Sequence, residues 1–176
     1  MKKLAGMIVG AIALLVVSAA PARAQMWVSG GFTVQDWGTG SDWNDSKGFA
    51  VDFGRVIHKT AKTAGALYGD FSFNMFSDVE NDTGIVGGFR EFFTFNDHFV
   101  PYVHVSTGLM HWSEPDFDSS GNDWTIGGGG GVNINLNSSW GVKVQYDYWK
   151  PRENDNWNDH IGRWTFGANY TWGGSK

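Results

Sequence analysis

His104 and Ser106 stand two residues apart, and their types are those from which a general base and a nucleophile are built. A hydrolytic pair needs a third group that orients the imidazole and donors that hold an oxyanion. The sequence assigns neither. A second stretch, WTIGGGGGVNINLN from Trp124 to Asn137, carries consecutive glycines onto which a phosphate-cradling loop can be drawn. Such a loop needs a buried strand before it and a helix after it, and a P-loop also needs a Lys-Ser/Thr pair. Here alternation runs straight through the glycines and ends in the turn Asn137–Ser139. Ile126, Val132, Ile134 and Leu136 share one face with Gly128 and Gly130; Thr125, Asn133 and Asn135 share the other with Gly127, Gly129 and Gly131. That is a strand that has lost side chains to make bending and close packing possible, with Tyr146, Tyr148 and Trp164 as candidates to cover it. A third stretch, DFDSSG at Asp116–Gly121, begins like a calcium loop, but the closing bidentate Glu position is Gly127. It reads as solvated acidic loop. With no cysteine, no disulfide, thiolate metal site or Cys nucleophile can form. The expectation is no catalytic residue, no metal and no cofactor.

The charged residues then have to be explained by the elements that carry them. Apolar and polar residues alternate with period two in eight segments between Met26 and Trp172, and no helix-period stripe occurs. Val51 and Phe53 oppose Asp52, Phe71 and Phe73 oppose Asp70, Val103 and Val105 oppose His104, and Val142 and Val144 oppose Lys143 and Gln145. The polar face thus collects Asp52, Asp70, His104, Lys143, Asp147 and Arg163. Arg90 is expected there too, although it neighbours Glu91, and one of the two must turn to the apolar face or sit at a bulge. The connections alternate in character. Trp37–Lys47, Asp78–Thr83, Glu114–Asp123 and Lys150–Asp159 read as long polar loops; the turns after His58, at Asn96–His98 and at Asn137–Ser139 are short. That layout predicts an all-β, eight-stranded antiparallel up-and-down transmembrane β-barrel.

Aromatic placement decides between an inward apolar cavity, as in a soluble barrel, and an outward apolar face in lipid. Trp27, Phe95, Phe99, Trp140, Tyr170 and Trp172 lie near short-turn ends, and Trp37, Trp112, Trp124, Tyr148 and Trp164 near long-loop ends. Two girdles suit two membrane–water interfaces. The polar face then points into a lumen too narrow for more than packed side chains, where opposite charges pair.

Compartment and composition agree. Lys2 and Lys3, an apolar run from Leu4 to Ala20 and Ala22-Arg23-Ala24 form a signal peptide with cleavage after Ala24. Residues 1–24 are therefore expected to be removed and 25–176 to be the barrel domain. The net charge of −5 argues against a nucleic-acid partner, which needs a basic face. Aromatics make up 16% of the chain, which favours β-structure with interfacial anchors.

From Gln25 to Trp172 the chain resembles the small outer-membrane β-barrel proteins of the OmpA/OmpX-like group. The resemblance rests on GGFR at Gly87–Arg90, PYV at Pro101–Val103, the glycine strand, WGVKVQYDYW at Trp140–Trp149 and the aromatic last strand. It implies a bacterial outer-membrane location, assembly by the barrel-assembly machinery, and contact with outer-membrane lipids and lipopolysaccharide. Relatives usually end on an aromatic; here Gly-Gly-Ser-Lys follows Trp172. No peptidoglycan-binding domain follows, so the anchoring role of longer relatives is not carried over. The lipid A deacylases of this group carry His-x-Ser on the seventh strand facing lipid, where this chain has Tyr146 and Tyr148. The expected function is non-enzymatic, in envelope structure or surface interaction through acidic, Trp-rich loops whose ligand the sequence does not name. The alternative is a narrow pore or a lipid-A-modifying barrel.

Overall fold

The computed structural model describes residues 25–39, 42–76, 80–94, 96–114, 119–152 and 160–173. The expected signal peptide lies outside the described residues, as do Phe95, Asp116 and Asp118. Eight strands follow one another: β1 (Met26–Thr39), β2 (Asp42–Lys59), β3 (Thr63–Phe76), β4 (Glu80–Phe93), β5 (Phe99–Glu114), β6 (Ser119–Asn135), β7 (Trp140–Arg152) and β8 (His160–Trp172). Each pairs antiparallel with the next, and β8 returns to β1 from Met26↔Trp172 to Gly38↔His160, closing the barrel. Closure leaves no unpaired strand edge, the condition for a sheet to stand in lipid.

A tilted strand crosses a bilayer in about 9–11 residues. β2 has 18 residues and β6 has 17, so both run well past it. This corrects three of the loops read from sequence. Pairing continues to Thr39↔Asp42, Phe76↔Glu80 and Glu114↔Ser119. Beyond the lipid neither face needs to be apolar, so alternation fades while backbone pairing persists. At the other end the turns are tight. Asn96 Oδ1 accepts from the backbone N–H groups of His98 and Phe99 at 2.9 and 2.6 Å, and Asn137 Oδ1 accepts from those of Ser139 and Trp140, both at 2.9 Å. Such Asx turns substitute a side-chain acceptor for a backbone one.

The outer face is apolar: Phe32, Phe49, Leu67, Val105, Leu109, Ile126 and Phe166 are all exposed. The inner face is polar and buried, from Ser29, Thr33 and Gln35 on β1 to Arg163, Thr165 and Asn169 on β8. The strand-four ambiguity resolves without a bulge. β4 keeps continuous register with both neighbours; Arg90 points inward and Glu91 stands half-buried on the outer side near the short-turn rim.

The glycine run is part of β6. A Cβ on Gly127 would lie 2.4 Å from Trp149 Cδ1, and one on Gly131 would lie 2.6 Å from Tyr102 Oη. These inward positions are bare because the neighbouring backbone, Tyr148 O and Val144 O, and two large side chains that cross the lumen stand there. On the outer face Tyr148 and Tyr146 pair with Gly128 and Gly130, while Trp164 packs against Tyr146 with ring centroids 4.9 Å apart.

Candidate functional site

The lumen gathers the charges into two connected groups. Asp52 on β2 accepts from four donors: Trp27 Nε1 at 2.9 Å, Arg90 Nη1 at 3.0 Å, Ser29 Oγ and Lys143 Nζ. Those donors belong to β1, β4 and β7, so one carboxylate ties four strands across the interior. Arg163 on β8 forms the second centre. Its Nη1 and Nη2 donate to the two oxygens of Asp70 at 3.0 and 2.9 Å, and its Nε donates to Asp147 Oδ2 at 3.0 Å. Gln145 joins the groups: its Oε1 accepts from Arg90 Nη2 at 3.2 Å and Tyr102 OH at 2.8 Å, and its Nε2 donates to Asp147. Arg90, Lys143 and Arg163 thus meet Asp52, Asp70 and Asp147, three cations against three carboxylates, all buried. Desolvated charges persist only when compensated in this way.

Large side chains lie on both sides of this ionic layer. Toward the short turns, Tyr68 and Tyr102 hold the Arg90 guanidinium at 4.4 and 4.5 Å from their ring centroids, with Trp27 and Phe92 beyond. Toward the long hairpins, Val86, Met110, Trp149 and Ile161 form an apolar cluster, and Trp149 lies 4.5 Å from the Arg163 guanidinium. Further still, Asp82 accepts from Gln35 at 2.5 Å and from Asn74 at 2.9 Å.

His104 and Ser106 are both buried in this interior. His104 Nε2 is 2.8 Å from Asp147 Oδ1, off the line of a well-aligned hydrogen bond, and Nδ1 has no partner. Asp147 is the acid nearest the imidazole, which the sequence could not assign, but it makes no aligned hydrogen bond that would orient it. Ser106 Oγ accepts from Trp149 Nε1 at 2.9 Å rather than engaging the imidazole. The triad residues are neighbours, but no nucleophile–base bond is assembled.

The girdle needs correction at two positions. Trp27 is 5% exposed and points inward onto Asp52. Trp112 also lies on the inner face, with Nε1 donating to Asp123 at 2.9 Å. Both follow the parity of their strands, Trp27 with Ser29 and Trp112 with Met110, which prevails over proximity to a strand end. Trp124, Trp140, Tyr148, Trp164, Tyr170 and Trp172 stand on the outer face. The Trp37 side chain lies outside the described residues. Parity would likewise have pointed to Tyr68 and Tyr102, uncharged partners of the lumen network that a search for charges passes over. Among the described residues no group of three or more metal-ligating side chains converges.

The family model of the outer membrane protein beta-barrel domain matches residues 8–171. The chain belongs to this family. Among solved structures, Neisserial surface protein A is similar at 13% identity and a TM-score of 0.68, over 82% of this chain and 96% of that one. Ail, the attachment invasion locus protein of Yersinia pestis, is similar at 15% identity and a TM-score of 0.63, over 85% of this chain and 99% of that one. A second Ail structure, in complex with the heparin analogue sucrose octasulfate, gives 15% identity and a TM-score of 0.61, over 85% of this chain and 99% of that one. At these identities the likeness is one of fold. No curated protein matches the chain by sequence.

Proposed function

We propose that this protein is a non-enzymatic barrel of the bacterial outer membrane, exported by the signal peptide at residues 1–24, with its interior closed by its own side chains. It acts in envelope structure or surface contact, through its lipid face and its long hairpins. The observation that carries this reading is Asp52, whose four donors span the lumen and leave the charged residues engaged with one another. A lumen committed to internal ion pairs has little left for transport or hydrolysis. Outer-membrane lipids and lipopolysaccharide meet the exposed apolar belt and its aromatic rims, and the barrel-assembly machinery inserts it.

The strand ends at the long hairpins carry Asp42, Asp45, Glu80 and Glu114. A sulfated ligand like the one bound to Ail would meet like charge there, so that specificity is not carried over.

Fractionation, gel migration and lipid A mass spectrometry test the proposal together. The protein should partition with outer membranes and migrate differently before and after boiling. Lipid A from cells with and without it should carry the same acyl chains. Recovery as a soluble periplasmic protein, or an acyl chain lost only when Ser106 is intact, would defeat the reading.

A further inference from the structure

The short-turn mouth of the barrel is a cavity of about 210 Å³. Its two sides differ in chemistry. Trp27, Val56 and Phe92, from β1, β2 and β4, make an apolar and aromatic side. Asn133 on β6 and Asn169 on β8 make an amide side. One charge of each sign, Lys59 and Asp97, also lines it.

The two amides are not explained by the fold. Asn135 and Asn137 in the same mouth have structural tasks, Asn135 donating to Asp97 O at 2.8 Å and Asn137 capping its turn. Asn133 Oδ1 and Asn169 Oδ1 are buried without a hydrogen-bond partner, and Asn169 is 3% exposed. Leaving such a group unpaired is destabilising. Gly141, paired with Asn135 and Asn169, leaves the room that the Asn169 amide occupies, because a Cβ there would lie 2.7 Å from Asn169 Oδ1.

We propose that this mouth binds a neutral saccharide ring. A sugar offers hydroxyls to amides that turn their buried oxygens toward it and a C–H face to the edges of Trp27 and Phe92 that line the mouth, and it carries no charge for a site lined by one Lys and one Asp. Small-molecule pockets typically run about 300–1,000 Å³. At about 210 Å³ the mouth admits one ring, either a free monosaccharide or the end of a glycan chain. The site is independent of whether the lumen above it conducts.

The test is NMR titration of the folded, full mature barrel in nanodiscs, reading the Trp27 indole N–H and the Asn169 side-chain amide. The probes are N-acetylglucosamine and its β-1,4-linked tetramer. Saturable shifts of both resonances with N-acetylglucosamine are expected, and the tetramer arm separates the sources. Matching shifts mean that a chain end enters; no response to the tetramer means a free sugar. Asn169→Leu keeps the branched shape of the side chain and removes its amide, so the boiling-dependent gel shift should persist while affinity falls about tenfold, as for one lost hydrogen bond. Asn133→Leu should act in the same direction. Absence of saturable shifts, equal shifts with glycerol, or undiminished binding by both Leu variants would overturn the site.

Discussion

Arg163 is the residue on which the two sides of the lumen depend most directly. It holds Asp70 with two hydrogen bonds and Asp147 with a third. Removing one member of a buried pair leaves an uncompensated charge and costs about 3–5 kcal/mol. Arg163→Met should therefore destabilise the barrel by about that amount, and by more than its lost packing alone. Adding Asp70→Asn should restore part of the loss, because the stranded charge is then gone. Urea unfolding of the single and double variants in phospholipid vesicles reads both values. Additive losses would mean that the pair is not coupled. At this scale the sequence was readable wherever parity was followed. Asp52, Asp70, Lys143, Asp147 and Arg163 all alternate with apolar neighbours, and all lie inside. Their pairing was not readable, because which carboxylate meets which cation depends on barrel stagger and closure. Trp27 points inward because parity, which it shares with Ser29, prevails over residue type and nearness to a strand end.

The strands show why the glycine run is specific to one barrel and not a general flexible segment. Gly131 faces in and Gly130 faces out. A Cβ on Gly131 would meet Val144 O at 2.5 Å and Tyr102 Oη at 2.6 Å, whereas one on Gly130 meets Tyr102 O at 3.1 Å and then Val103 Cγ1 at 3.9 Å. Overpacking costs about 1–3 kcal/mol. Gly131→Ala should fall in that range and weaken the Tyr102–Gln145 hydrogen bond, while Gly130→Ala should be milder. Equal losses would show that strand bending, not room for Tyr102, fixes the glycines. The outer face makes a second demand on the same elements. Val105 is 63% exposed, and an Arg at such a site in water would be harmless. In mid-bilayer it costs about 2–4 kcal/mol. Unfolding of Val105→Arg in vesicles should show that loss, and an unchanged free energy would place the apolar face outside lipid. Strand existence and facing were legible because lipid on one side and a packed lumen on the other impose period two. Strand ends were not, since the hairpins beyond the lipid have no apolar face, and β1 to β6 pair through segments that read as loops.

The whole molecule stacks four kinds of layer along its axis: aromatic side chains around Arg90, the ion pairs, the apolar cluster of Val86, Met110, Trp149 and Ile161, and the amide–carboxylate group at Asp82. An ion moving through would have to displace all four. Charges alone could form a conducting path if their partners exchanged, but Asp52 and Asp147 each meet partners from several strands and Arg163 holds two carboxylates, so exchange would open several contacts at once. Planar-bilayer recordings of the wild type should therefore show no large, steady conductance. The variant that best separates plug from pore is Arg90→Ala with Lys143→Ala. It removes both cations from Asp52 yet leaves Tyr102, Met110, Trp149 and Ile161 buried across the axis. Unfolding midpoints should fall while conductance stays near baseline, because the loss of two ion pairs weakens the closure without clearing the layers beyond it. Robust wild-type conductance, or a large increase in the double variant at unchanged stability, would instead mean that the ionic layer is a selectivity element in a continuous channel.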